Sequence, residues 1–216
     1  MDFTCEVNEL LKSPDNIEII RDQICGILAL ECANQFELAT KANDPRKDDY
    51  NISVYLENTE PWAILSEDDK STFPLVNVCL QDVTRDSGSD SSCRFGRRAT
   101  FNIDVYNTGS FDGLLTDSKR QGRLAVIKCW KTARIIRNIL EAANYTYLGL
   151  QGVVLNRQIE SIATGMPNVA DTSVNVCVCR IVLSVRFTEK SPQVSGPIIE
   201  PIDITITDDS GAVVVG

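Results

Sequence analysis

The sequence predicts an α+β fold in which a mostly antiparallel sheet of four to five strands is covered by two long helices. Residues 75–83 and 99–106 alternate apolar and polar side chains with a period of two, which is typical of strands with one buried face. Two segments with apolar residues at helical spacing flank this pair, and a second alternating pair follows the later helical segment. The chain has 216 residues, of which 43% are apolar, and this is ample for a packed core.

The first long helix is predicted to follow Ser13, with Pro14 at its first position and Asp15 in its acidic first turn. We expect it to end before Asp44, because a residue that precedes proline is disfavoured in a helix. A short strand is predicted at residues 52–56. The apolar stripe of the helix consists of Ile17, Ile20, Ile24, Ile27, Leu28 and Leu30.

The second long helix is predicted to start near Thr116 or Asp117 and to combine an apolar stripe with a basic surface. Residues 117–141 carry a net charge of +5, which leaves −14 for the rest of a chain whose net charge is −9. This segregation predicts head-to-tail contact between identical subunits, and a solvated basic face is the alternative. A nucleic-acid face is disfavoured, because no aromatic residues are interleaved with the charges. The predicted apolar stripe is Val126, Cys129, Trp130, Ala133, Ile136 and Leu140, and the predicted subunit interface is Lys128, Lys131, Arg134 and Arg137.

Residues 84–98, between the two central strands, are predicted to form a long polar loop. The end of this loop contains Arg94, Phe95, Arg97 and Arg98, which are three arginines around one aromatic residue in an acidic protein. Such a cluster indicates a docking element for a negatively charged neighbour. A solvated loop end is the alternative interpretation.

Strands predicted at 152–161 and 174–187 complete a domain that spans residues 1–190. Residues 191–216 are predicted to form an extended C-terminal arm, because three prolines and a glycine in 191–201 are typical of a linker. Within the arm, Ile202, Ile204 and Ile206 alternate with polar residues, and residues 212–215 are also strand-like. We expect this arm either to add a strand to the sheet of a neighbouring subunit or to fold back on its own domain.

Composition argues against several classes of protein. A net charge of −9 and a pI near 4.6 disfavour a protein whose main task is to wrap nucleic acid. The chain has neither an apolar run of 18 residues nor a signal-peptide pattern, so we expect it neither to span a membrane nor to be exported by a signal peptide. Most of the eight cysteines are expected to be small buried apolar residues. Disulfide bonding is the alternative, with Cys93, Cys177 and Cys179 as candidate partners.

Groups that carry common chemistry are missing from the sequence. The chain contains no histidine, which removes the usual general base and the triads that use it. It also lacks a phosphate-binding loop, a dinucleotide fingerprint and the cysteine spacings of zinc modules. We therefore expect no enzyme, no cofactor and no metal site.

The order of these elements resembles the tail terminator (tail completion) proteins of long-tailed bacteriophages. The resemblance covers roughly residues 17–189, and the segments that carry it are FPLVNV at 73–78, ATFNIDVY at 99–106, the helix at 124–140 and VCRIVLSVRF at 178–187. It implies a structural virion protein that forms a hexameric ring on the last disc of the tail tube, stops tube polymerisation and joins the tail to the neck or connector. Its partners would be copies of itself, the tail tube protein and a neck protein.

The resemblance also implies that DNA passes through the ring without being read, that no catalytic residues are present and that no membrane is involved. The protein would be made in the host cytoplasm and located in the tail or neck of the virion. The arm and the many cysteines go beyond the pattern of the family, and they leave open a contact with sheath or collar proteins.

Two other functions stay open at this point. One is another neck component of the same particle, either a head-completion protein or a connector adaptor. The other belongs to a different class, a standalone redox-responsive or ligand-binding protein, for which the eight cysteines are the main support.

Overall fold

A computed structural model describes residues 15–58, 74–86, 94–109, 118–165, 176–190, 204–206 and 213–215. These residues form a five-stranded sheet, two long helices and a two-stranded sheet, which confirms the α+β class. In chain order the elements are α1 (Asn16–Lys41), a 3-10 turn (Lys47–Tyr50), β1 (Ser53–Leu56), β2 (Leu75–Arg85), β3 (Arg94–Thr108), α2 (Ser118–Glu141), a 3-10 turn (Ala143–Tyr145), β4 (Val154–Gly165), β5 (Val176–Lys190), β6 (Ile204–Ile206) and β7 (Val213–Val215).

The large sheet has the strand order β1-β2-β3-β5-β4 and is mixed. The β2–β3, β3–β5 and β4–β5 pairs are antiparallel, whereas β1 and β2 run parallel. Parallel neighbours need a long crossover, and the 18 residues between Leu56 and Leu75 are long enough to provide one. The hydrophobic pattern of the sequence predicts these strands but not the parallel orientation of β1.

One core joins the two helices to the sheet. α1 contacts β1 and β2, whereas α2 contacts β3 and β5. The predicted alternation is confirmed on one sheet face, where Phe101, Ile103 and Val105 of β3 are fully buried. Burial of such a side chain contributes about 1.5–3 kcal/mol, so these central strands hold much of the stability of the fold. From the neighbouring elements the core receives Ile20, Ile24, Leu28, Val76, Val78, Cys129, Ala133, Ile136, Leu140, Cys177, Cys179, Ile181, Leu183, Val185 and Phe187.

The prediction of a long loop at residues 84–98 is wrong at both ends. β2 extends to Arg85 and β3 begins at Arg94, which faces Lys190 of β5 across an antiparallel pair. Arg97 likewise faces Arg85 on one side and Phe187 on the other. Pairing with two long neighbours keeps this segment extended, although its side chains show no apolar alternation.

The second face of the sheet is less exposed than the sequence pattern predicts. Asn77, Asp104 and Tyr106 were expected on a face turned to water or to a partner, yet all three are buried. The Asn77 side chain satisfies its polar atoms by accepting from the Asn58 backbone N–H at 3.0 Å and donating to the Asn58 carbonyl at 2.9 Å.

α1 ends at Lys41, before Asp44 and Pro45, as predicted. Asn43 adopts a left-handed conformation with φ of 50°, and the Asp44 N–H donates to the Ala39 carbonyl at 2.9 Å. This arrangement satisfies a carbonyl of the last turn before Pro45 stops the helix. Leu30 was predicted in the apolar stripe of α1, but it is 68% exposed, so this assignment is wrong.

The end of α2 is held by a side chain from a distant strand. Arg157 of β4 donates to the Ala142 carbonyl at 2.7 Å and to the Tyr145 carbonyl at 2.6 Å. A cation at this position also interacts favourably with the helix dipole. This contact links the end of α2 to β4.

The strand-like segments of the C-terminal arm pair with each other. Ile204 faces Val215 and Ile206 faces Val213 in an antiparallel two-stranded sheet. The segments are therefore not isolated extended pieces, while Ile202 lies outside the described residues. Addition of the arm to a neighbouring subunit stays a prediction, as do the domain bounds of 1–190 and 191–216.

Candidate functional site

α2 exposes a continuous stripe of large side chains, which we name the α2 stripe. Its members recur every three or four residues, so they lie on one side of the helix. Ile127 is 43% exposed and Trp130 is 45% exposed, and the arginines at both ends of the stripe are exposed as well. The α2 stripe consists of Arg123, Ile127, Trp130, Arg134 and Arg137.

The place of Trp130 corrects two predictions. It was expected in the buried stripe of α2, but Trp130 is exposed and the buried positions of the helix are Ala125, Cys129, Thr132, Ala133, Ile136, Ile139 and Leu140. It also lies between basic residues, so the statement that no aromatic residue is interleaved with the charges is wrong. The spacing of Arg123, Trp130 and Arg137, seven residues apart, was the signal in the sequence that could have revealed this surface.

The predicted basic residues of α2 have different surroundings. Lys131 lies 3.5 Å from Asp49, and Arg137 lies 3.5 Å from Glu141 one helical turn away. These ion pairs are solvent-accessible and are worth less than about 1 kcal/mol, so a partner could replace them at little cost. Arg134 is exposed, and Lys128 is partly buried at the side of the helix.

The structure separates the predicted arginine cluster at the start of β3. The Arg97 guanidinium stacks 5.8 Å from the ring centroid of Phe95 and lies 3.6 Å from the Glu189 carboxylate. Arg98 alternates to the opposite face, where it is exposed and its strand neighbour is Arg186. The side chain of Arg94 lies outside the described residues. These residues are therefore not one loop-end cluster, and they divide between the two faces of the sheet.

The sequence gives no signal for an ion pair between a buried carboxylate and a half-exposed guanidinium. The Arg180 guanidinium donates two hydrogen bonds of 2.7 Å to the carboxylate of Asp104, and this contact raises the pKa of Arg180. The Asp104 side chain is only 6% exposed, whereas the Arg180 side chain is 52% exposed. Because a buried carboxylate needs a partner, this bidentate pair has a structural role on the second sheet face. Nearby, burial raises the pKa of Tyr106 above the ordinary value of a tyrosine.

The positions of the candidate disulfide residues argue against disulfide bonding. Cys177 and Cys179 are buried free thiols in the core, and Cys93 lies outside the described residues. Cys177 and Cys179 face Cys129 of α2, whose thiol donates to the Val105 carbonyl at 3.1 Å. Hydrogen bonds to Cys177 and Cys179, together with burial, raise the pKa of Cys129. The same hydrogen bonds lower the pKa of Cys177 and Cys179. Because all three thiols are at most 1% exposed, we interpret them as packing groups and not as accessible reactive ones.

We expect Cys32 of α1 to resist alkylation as long as the protein is folded. Burial raises the pKa of this thiol from 9.0 to about 12, so at pH 9 the reactive thiolate falls from half of the molecules to about one in a thousand. Mass spectrometry after iodoacetamide treatment at pH 8 to 9 checks this expectation, with the half-buried Cys25 as internal comparison. Labelling of Cys32 as fast as in urea-denatured protein would contradict it.

A cleft of about 530 Å³ lies beside the α2 stripe, between α1, α2 and the two 3-10 turns. The Tyr145 hydroxyl donates to the Glu31 carboxylate across this cleft, and Arg134 forms part of its wall.

Among the described residues, no group of three potential ligands could hold a metal ion. In the same part of the chain, no helix is long and apolar enough to cross a membrane.

Comparisons with known proteins do not assign this chain to a family. No protein-family model matches it, and a search of curated proteins found no match.

Proposed function

We propose that the protein is a structural subunit of a bacteriophage tail. Copies of it form a ring, most simply a hexamer, on the last disc of the tail tube, stop tube polymerisation and join the tail to the neck. In this arrangement the two helices cover one face of the sheet, and DNA passes through the lumen of the ring. The observation that carries the proposal is the exposed α2 stripe, a basic surface with an aromatic centre in a chain of net charge −9.

The composition of the α2 stripe supports contact with protein. Tryptophan and arginine are the residues most enriched at the energetic centres of protein interfaces, and here an exposed tryptophan lies between arginines. The rest of each subunit is acidic, so every copy offers a surface whose charge is complementary to that of α2. Self-assembly is therefore the simplest use of the α2 stripe.

We assign the contact with the tail tube to the exposed Arg98 at the start of β3, whereas Arg97 on the other sheet face is engaged with Phe95 and Glu189. The support for this assignment is the charge of Arg98 on an exposed strand position. The C-terminal arm is free in this scheme to contact sheath, collar or neck proteins.

Imaging of the purified protein with tail tubes of the same phage tests the proposal. We expect negative-stain electron microscopy to show a ring of copies at one end of each tube, with and without reductant, since the described thiols are not bonded to each other. Binding along the sides of tubes, or no binding at all, would contradict a terminator. Binding to purified portal or connector without binding to tubes would instead indicate another neck component.

A further inference from the structure

α1 carries a second exposed stripe, which we name the α1 stripe. Its members recur every three or four residues over more than four turns of the helix, and each of them is exposed. Among the residues that the structure describes, Leu30 is the most exposed large apolar residue at 68%. The α1 stripe consists of Ile19, Asp22, Gly26, Leu30, Ala33 and Glu37.

The charges of the two stripes are opposite. The α1 stripe contains Asp22 and Glu37 and no basic residue, whereas the α2 stripe contains three arginines and no acidic residue. Asp22 and Glu37 lie 15 residues apart, or about 22 Å along a helix, and Arg123 and Arg137 lie 14 residues apart, or about 21 Å. Within the subunit Asp22 pairs with Arg21 and Glu37 pairs with Lys41, but these pairs are solvent-accessible and are worth less than about 1 kcal/mol each. Two helices placed side by side would therefore bring both pairs of opposite charges together at little cost.

The side-chain sizes of the two stripes are complementary as well. Trp130 is at the middle of the α2 stripe, and the middle of the α1 stripe has Leu30 between the small residues Gly26 and Ala33. The space around Gly26 is open, since a Cβ added there meets no atom within 4 Å. A large ring can pack beside Leu30 in this notch, with the charged residues at the rim, which is the usual arrangement of an interface.

We propose that the α1 stripe of one copy receives the α2 stripe of the next copy. This inference rests on the proposed function and names the contact that closes the ring. Because the two stripes belong to different helices, each copy uses α2 towards one neighbour and α1 towards the other. Such a head-to-tail contact produces a ring when its rotation closes.

Charge reversal on each stripe, alone and in a mixture, tests the contact. The first variant is Asp22→Lys/Glu37→Lys and the second is Arg123→Glu/Arg137→Glu. Each variant alone places like charges opposite each other, so we expect self-association to weaken by about 100-fold or more. In an equal mixture every contact joins opposite charges again, and we expect assembly to return to the wild-type mass with the two variants alternating.

Sedimentation velocity over a range of concentrations provides the readout, with circular dichroism to show that each variant is folded. Variants that assemble alone, a mixture that stays monomeric, or a wild-type protein that stays monomeric would each overturn this inference. A wild-type mass of two copies would also overturn it, because one partner would then satisfy both stripes. The proposed function fails separately, if the wild-type protein forms no ring on tail tubes.

A second test of the contact uses a substitution that should not destabilise the folded subunit. Gly26→Gln fills the notch of the α1 stripe without a clash inside the subunit and replaces a poor helix former, so we expect Tm to rise by about 2 °C. Self-association should nevertheless weaken by about tenfold or more, because the glutamine occupies the place of Trp130. Gly122→Gln is the matched control, since a Cβ added at Gly122 also meets no atom within 4 Å and Gly122 lies outside both stripes. Equal assembly of the two variants would overturn the proposed contact.

Discussion

Replacement of Trp130 by glutamine is expected to weaken self-association of the protein by about 30- to 1,000-fold. Trp130 is the aromatic centre of the α2 stripe, and truncation of such a residue costs about 2–4 kcal/mol of binding free energy. The stability of the subunit should hardly change, because this side chain is 45% exposed and lies outside the core. Sedimentation velocity measures the association, and thermal unfolding of the dilute protein measures the stability.

Tyr147→Gln is the control for this experiment. Tyr147 is 43% exposed, almost as much as Trp130, but lies outside both stripes, so its replacement should leave self-association within about twofold of wild type. Loss of assembly in both variants to the same degree would mean that general surface hydrophobicity, and not the α2 stripe, holds the copies together. Unchanged assembly in Trp130→Gln would remove the α2 stripe from the interface.

Arg180→Ala is expected to lower the free energy of unfolding by about 3 kcal/mol, whereas Asp104→Ala should lower it by only about 1 kcal/mol. The two residues form one bidentate pair, but their surroundings differ. Removal of Arg180 leaves the buried Asp104 carboxylate without its partner, while removal of Asp104 leaves a guanidinium that is 52% exposed and can be hydrated.

Urea denaturation of the two single variants and of the double variant checks this asymmetry. The double variant should be more stable than Arg180→Ala, because it no longer contains an unpaired buried charge. Equal losses in the two single variants would contradict the account, since they would mean that the Asp104 carboxylate is solvated without Arg180.

The sequence predicted the elements whose side chains alternate or recur regularly. The residues of β3 and β5 that alternate around Ile103 and Ile181 are buried as expected, and α1 ends before Asp44-Pro45. In these segments the hydrophobic pattern and the local breakers act in the same direction, so a single sequence is sufficient.

Elements that depend on their neighbours were predicted less well. The segment that begins at Arg94 is a strand because it pairs with both β2 and β5, and no local pattern announces this pairing. The orientation of β1 relative to β2 depends on the path of the intervening chain for the same reason. Trp130 was misplaced because a large apolar residue at helical spacing is usually a core residue, whereas its angular position here coincides with that of Arg123 and Arg137.

The residues of the candidate site were predictable only in part. The basic surface of α2 follows from composition, but the opposite α1 stripe requires knowledge of which side of each helix is buried. Asp104 and Arg180 are 76 residues apart in sequence and meet only through the register of β3 and β5. A side-chain contact of this kind cannot be derived before the strand pairing is known.

The length of tail tubes made without this protein tests the central claim most directly. A phage in which the chain is deleted should produce tubes of varied and excessive length that lack heads, and supply of the wild-type chain should restore a single length. Tubes of normal, uniform length in the deletion mutant would contradict the claim that the protein ends the tube.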